Sequence, residues 1–212
     1  MAQLPGVYSY LIQHGFRRSG KIIYRPHCAH CQLCYAARVP VAKFQPDRSQ
    51  RRIWQRNQDI TVHAQAPEFN PEHYQLFQRY TAVRHAEGGM ASHSASEYIA
   101  FLTTAWCETR FYEFRWKDRL VAVAVVDIVA GGWSAVYTFY EPELPARGLG
   151  VYAVLWQLQT LAQQHGDWLY LGYWVPGSLK MDYKKRYQPL ECLVGHQWQP
   201  QIGMAVNACK TR

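Results

Sequence analysis

Cys28, Cys31 and Cys34 recur with two residues between each pair, a spacing that lets one tight turn aim several thiolates at a single ion, with His27 or His30 able to complete the set. Structural zinc sites more often use two separated pairs of ligands, so two readings stay open: a zinc or iron–sulfur site, or three reduced thiols packed in a small region. A second group is cationic. In a helix over 49–57, Arg48, Arg52 and Arg56 share one face with Arg51 beside them, a stripe suited to tracking phosphates, while Ile53 and Trp54 offer an apolar docking face. Near the C-terminus, Trp168-Leu169-Tyr170-Leu171-Gly172-Tyr173-Trp174 is followed by Lys180-Met181-Asp182-Tyr183-Lys184-Lys185-Arg186-Tyr187. Rings interleaved with cations suit a site holding bases, ribose and phosphate together, although each tyrosine taken singly reads equally well as core. Asp127 closes the apolar run Leu120 to Val126. A carboxylate there is either hydrogen-bonded for structural reasons or turned toward a reaction centre, since unpartnered burial is costly.

The elements that must position these groups follow from periodicity. Up to residue 65 the pattern is of short strands, at 21–25, 36–44 and 60–65, around the cysteines and the basic helix. Helical spacing follows at 71–86 and 95–104, the first opened by Asn70 as N-cap with Pro71 at the first helical position. From Thr109 the period becomes strand-like: 109–116, 120–128 and 134–140, separated by turns at Lys117-Asp118 and Gly131-Gly132, form an antiparallel meander. Val151, Val154, Leu155, Leu158, Leu161 and Ala162 then mark one buried helix face. A strand at 168–173 and a last apolar stretch at 190–198 complete the chain. Three antiparallel strands, a helix and a parallel return strand are the order of an acetyltransferase core of the Gcn5-related (GNAT) type. The expected fold class is therefore α+β, a GNAT-like mixed sheet with helices over 67–212, preceded by a small basic, cysteine-bearing region over 1–66.

With 212 residues, 49% of them hydrophobic, the chain can bury a substantial core. Its net charge of +8 is carried entirely by the first 60 residues, where ten Lys or Arg face only Asp47 and Asp59. A basic segment on a neutral body points to a polyanion, with a solvated solubility face as the bland alternative. The longest apolar run is too short to cross a bilayer, and no signal-peptide pattern precedes it, so a cytosolic location without membrane partners is expected. Six cysteines in that compartment suggest metal, redox or burial before disulfides, with burial the default for Cys107, Cys192 and Cys209.

Taken in order, the motifs resemble the arginyl/leucyl-tRNA-protein transferase family, and within it the bacterial aspartate/glutamate leucyltransferase branch. The resemblance runs from about Gly15 to Trp198 and rests on Gly15-Phe16-Arg17-Arg18-Ser19-Gly20, Tyr24-Arg25-Pro26-His27-Cys28, Arg48-Ser49-Gln50-Arg51-Arg52, Ala122 to Ile128, Ser134 to Tyr140, Tyr170-Leu171-Gly172-Tyr173 and Lys180-Met181-Asp182-Tyr183-Lys184. Three positions depart from the family's habit: no cysteine precedes Cys28 to supply a fourth thiolate, Phe139-Tyr140-Glu141-Pro142 stands where Phe-Phe-Asp-Pro is usual, and Gly148 replaces a serine.

The resemblance implies that aminoacyl-tRNA, specifically leucyl-tRNA, is the donor and that proteins with N-terminal Asp or Glu are acceptors, marked in this way for N-degron degradation by a proteolytic machinery that acts downstream. No cofactor is required: a free α-amine, with a pKa of about 7.7 to 8.0, attacks the ester carbonyl with modest help from a base. Asp127 is the candidate for orienting or deprotonating the amine. Tyr170, Tyr173, Lys180 and Tyr183 are candidate site-lining groups, Arg17 and Arg18 bind the acceptor, and Arg48, Arg51, Arg52, Arg56, Lys184 and Lys185 bind tRNA. Two rivals stand beside this: a coenzyme A dependent N-acetyltransferase using Arg147-Gly148-Leu149-Gly150 as a pyrophosphate loop, and a non-enzymatic nucleic-acid-binding module built on the cysteine region.

Overall fold

A computed structural model describes residues 4–84 and 92–201; Cys209 and the last two positions of the helix expected over 71–86 lie outside them. One eight-stranded mixed sheet organises the molecule. Its middle is the expected meander, β5 (Thr109–Trp116), β6 (Arg119–Val129) and β7 (Gly132–Tyr140), antiparallel throughout, with Val121 to Val126 buried on both faces of the central strand. Helix α5 (Leu149–Gln163) then crosses one face and returns the chain as β8 (Trp168–Trp174), which pairs β7 in parallel. This is the acetyltransferase-like order that the periodicity predicts.

The sheet does not stop at the C-terminal half. The full order is β10 (Gln197–Pro200), β9 (Glu191–Val194), β3 (Tyr35–Pro40), β8, β7, β6, β5, β4 (Ile60–Gln65). Two strands from the first 66 residues are thus built into the sheet, β3 between β9 and β8 and β4 along the far edge, so a boundary near residue 66 divides the chain and not the sheet. β3 ends at Pro40, not Phe44, because proline has no N–H to carry the ladder on and residues 41–43 coil into a 3-10 turn.

One face carries α5 and α2 (Arg48–Arg56) over a core that includes Phe114, Ala124, Leu155 and Leu169. Asp47 caps α2 in a reciprocal capping box with Gln50. The other face carries α3 (Pro71–Arg84) and α4 (Ala95–Leu102) over Phe77, Tyr98, Val123, Val125 and Phe139. Asn70 caps α3 as expected, its side chain accepting from the Glu72 N–H at 2.8 Å. A third apolar cluster of Tyr8, Ile12, Cys107, Val129 and Tyr170 sits under α1 (Leu4–Gln13), which leads into a two-stranded ribbon of β1 (Arg17–Ser19) and β2 (Ile22–Tyr24).

Candidate active site

β7 and β8 are paired only from Gly132 to Ser134 against Trp168 to Tyr170. At that closed end the strands touch so tightly that a Cβ on Gly132 would lie 2.0 Å from the Trp168 carbonyl oxygen. Beyond it they part. β8 carries Leu171 as an extra residue against β3, and Gly172, at φ +79°, occupies the left-handed region that turns the strand away. The consequence shows on β7, where Ala135, Val136, Tyr137 and Thr138, in the interior of a central strand, are only partly buried.

Into this splay reaches Arg17. Its Nη1 donates to Ser134 Oγ at 2.9 Å and its Nη2 to the Ala135 carbonyl at 2.7 Å, and its guanidinium carbon lies 3.6 Å from where a Gly172 Cβ would be. The side chain is buried, yet among the described residues no carboxylate stands within salt-bridge distance of it. Arg18, the next residue, is the opposite case. Nε and Nη2 each donate at 2.6 Å to one oxygen of Asp127, Thr109 Oγ1 donates to Asp127 Oδ1 at 2.8 Å, and Nη2 also reaches the Leu102 carbonyl at 2.9 Å. Both side chains of the ion pair are fully buried. Such a bidentate pair is directional as well as strong.

Strand register explains why two neighbouring arginines find these partners. Thr109 pairs with Asp127, Asp127 with Ser134 and Ser134 with Tyr170. The four residues form one buried row across four strands, and cross-strand neighbours share a face. β1 lies across this row and clamps it at Asp127 and Ser134. Thr109 and Ser134 were not singled out in the sequence, since polar residues within strands carry no local mark; only register reveals them.

The remaining candidates are distributed unevenly. Tyr173 is buried and its hydroxyl donates to the Gly15 carbonyl at 2.8 Å, fastening β8 to the turn before β1. Tyr170 is buried in the α1 cluster, edge-on to Trp198. After β8 a 3-10 turn, Asp182–Arg186, presents Tyr183 half-exposed and Lys184 buried. Lys184 Nζ donates to the Tyr173 carbonyl at 2.5 Å, and burial, reinforced by the Arg17 charge, pulls its amine down to about 7. Lys180 is exposed, and Lys185 is exposed and paired with Asp182 at 2.5 Å. Arg48, Arg51, Arg52 and Arg56 lie exposed on α2, whose Gln50 side chain donates to the Arg186 carbonyl at the end of the 3-10 turn.

Cys28, Cys31 and Cys34 line a cavity of about 340 Å³ together with His27, Tyr173 and His196. Cys28 and Cys34 are exposed, and burial, then the neighbouring Cys31 and Cys28, raises the Cys34 thiol. Among the described residues no three His, Cys, Asp or Glu groups are arranged as the ligands of one ion. Arg147 is likewise committed: it forms two bonds to Asp59 at 2.8 and 2.9 Å and stacks 4.1 Å over Trp116. A Cβ on Gly148 would meet Ile53 at 3.1 Å and one on Gly150 would meet Tyr140 at 2.8 Å. Both glycines of this turn thus lie against side chains of α2 and β7.

The architecture is thus a GNAT-like sheet with a basic group buried where its central strands part. Over 80% of this chain and 59% of the other, the fold matches L-PGS from Bacillus licheniformis (TM-score 0.58, 14% identity), and over 82% and 61% it matches FemX (TM-score 0.53, 8% identity). In sequence, residues 2–52 and 72–194 match the N-terminal and C-terminal parts of the arginine-tRNA-protein transferases. Aspartate/glutamate leucyltransferases from Stenotrophomonas maltophilia and Pseudomonas fluorescens SBW25 are 47% and 49% identical, covering 92% and 91% of this chain and 80% and 82% of those proteins. The chain therefore belongs to the arginine-tRNA-protein transferase family and is an aminoacyltransferase acting between tRNA and protein. No helix among the described residues is long and apolar enough to cross a membrane.

Proposed function

We propose that this enzyme transfers leucine from leucyl-tRNA to proteins whose first residue is Asp or Glu, and that the reaction takes place in the splay between β7 and β8. The observation that carries this reading is Arg17, a buried guanidinium in the splay with no carboxylate partner of its own among the described residues. An acidic acceptor side chain supplies the missing charge. The names of relatives nearly half identical to this chain support both the donor and the acceptor. The α-amine attacks the ester carbonyl, a C–N bond forms, the C–O bond to the terminal ribose breaks, and the proton lost by the amine is made up at the ribose hydroxyl.

Arg18 is not a second acceptor contact in this scheme. Asp127 neutralises it, and the pair holds β1 so that Arg17 enters the splay, an orienting role at one remove from the amine; Tyr173 and Lys184 brace the opposite wall. Most of the rate then comes from holding amine and ester in line. The test is a single reaction with leucyl-tRNA and arginyl-tRNA in competition and peptides beginning with Asp, Glu or Lys. Leucine on the Asp and Glu peptides alone is expected. Equal labelling of the Lys peptide removes the acceptor assignment, and a preference for arginine removes the donor assignment.

A further inference from the structure

On the reading proposed above the splay takes the reacting end of a charged tRNA, and α5 also borders a second concavity. A groove of about 280 Å³ runs between α2, the second half of α5 and the edge strand β4, bounded by Trp54, Gln58, Tyr152, Trp156, Gln159 and Gln163. Its walls are aromatic and fixed. Trp54 packs against Tyr152 at 5.4 Å, and Trp156 is backed by Tyr112 at 4.8 Å and Phe114 at 5.4 Å, while both indoles remain partly exposed. Its rim is amide: Gln58, Gln159 and Gln163 are exposed.

The charges around the groove are mostly cationic. None of the fifteen residues of α5 is charged. α2 carries Arg48, Arg51, Arg52 and Arg56, all exposed and none in a salt bridge among the described residues. Arg51 lies three residues before Trp54 and thus on the groove side of the helix. The neighbouring acids are engaged, Asp47 as the N-cap of α2 and Asp59 with Arg147. Flat rings, neutral amides and guanidinium groups outside any ion pair together match a nucleotide: the base stacks, its edge meets the amides, and the flanking phosphates meet arginine. An apolar helix would leave the glutamines unused, and an acidic peptide would leave the rings unused.

We infer that this groove is a nucleotide-binding subsite that stacks an unpaired base of the tRNA substrate against Trp54 and Trp156 while Arg51 holds an adjoining phosphate. It rests on the reading of the chain as tRNA-dependent, but lies apart from the splay, roughly 10–20 Å along α5 from its first residue. The test is the full-length Gln159→Glu/Gln163→Glu variant, which sets two negative charges on exposed rim positions without disturbing the core. Affinity for uncharged tRNA, measured by fluorescence anisotropy at low salt, is expected to fall about tenfold or more. KM for charged tRNA should rise by a similar factor at unchanged kcat. Transfer from a short aminoacylated oligonucleotide bearing only the 3′-terminal nucleotides should be unaffected. Unchanged tRNA affinity overturns the assignment, as does an equal loss with the short donor, and so does a variant that keeps tRNA but loses an acidic peptide. Because the binding arm uses uncharged tRNA, it reads the groove independently; binding without any transfer would sink the parent reading alone.

Discussion

Arg17 and Arg18 on β1 and the four arginines of α2 lie within the same 40-residue stretch of a basic chain, yet the fold treats them in opposite ways. β1 is laid over the buried row Thr109, Asp127, Ser134 and Tyr170, so its arginines lose their water and must be satisfied by protein: Arg18 by Asp127, Arg17 by a hydroxyl and a carbonyl. α2 docks through Ile53 and its buried C-cap Asn57 and leaves its cations in solvent, where the Arg51 guanidinium donates to the Pro46 carbonyl. Charge counted along a sequence therefore mixes two functions. Buried arginine gives geometry and selectivity at short range, and exposed arginine gives salt-sensitive attraction at long range.

The contrast is tested most sharply at its most buried member. Asp127→Asn or Arg18→Met leaves a charge buried without its partner and is expected to cost about 3–5 kcal/mol of stability, read from the midpoint of urea unfolding. An unchanged midpoint would show that the pair does not brace β1. Next in size, Arg17→Gln keeps the hydrogen-bonding reach and removes the charge. Discrimination between peptides beginning with Asp and with Asn should fall roughly 10- to 100-fold, the worth of a charge-assisted bond, with little change toward Asn itself. If discrimination survives, the acceptor carboxylate is bound elsewhere.

On the exposed side, Arg51→Ala/Arg52→Ala is expected to weaken tRNA binding several-fold and to reduce the salt slope by about one for each phosphate left without its arginine. The amino acid transferred and the unfolding midpoint should not move. A stability loss as large as that of Asp127→Asn would erase the distinction between the two groups. Lys184 offers a subtler test, because it is a buried cation that, unlike arginine, can shed its charge. Its amine is lowered from 10.5 to about 7 by burial and by Arg17. Between those values the unfolded chain holds a proton that the folded chain has released, so stability rises with pH across that window. Lys184→Met should flatten the rise; a slope that persists would assign it to another group. The smallest effect belongs to the cysteine turn. Chelation, or Cys31→Ser, should shift stability within about 0.5 kcal/mol, and a large loss on chelation would show that these thiols close on a metal.

What was legible in the sequence was whatever depends on local period. β5 and β4 match their expected ranges, β6, β7 and β8 differ by two residues or fewer at either end, and α2 and α5 lie where their apolar spacing puts them. What was not legible depends on partners far along the chain. β1 is three residues long and polar, and becomes a strand only because β2 pairs with it and its arginines have a row to grip. α1 went unread because it has no polar N-cap signal and Gly6 in its first turn is a poor helix former. The two readings of Asp127 could not be separated until register set Thr109 on one side of it and Ser134 on the other. The same holds for Ser134 itself, which lay inside a quoted motif without any sign that an arginine would bond to it.

The place of β3 carries a consequence for how the protein is made. A strand completed by residue 40 sits between partners that end at residues 174 and 194. On the ribosome, where the chain emerges from its N-terminus, β3 must therefore wait, unpaired, until β8 and β9 have been made. The meander can form earlier, because its pairings are local, whereas closure of the sheet across so long a loop is the slow step. Nascent chains stopped before β8 would carry Arg17 with no splay to enter, so the capacity to transfer an amino acid arises only once β8 has been translated.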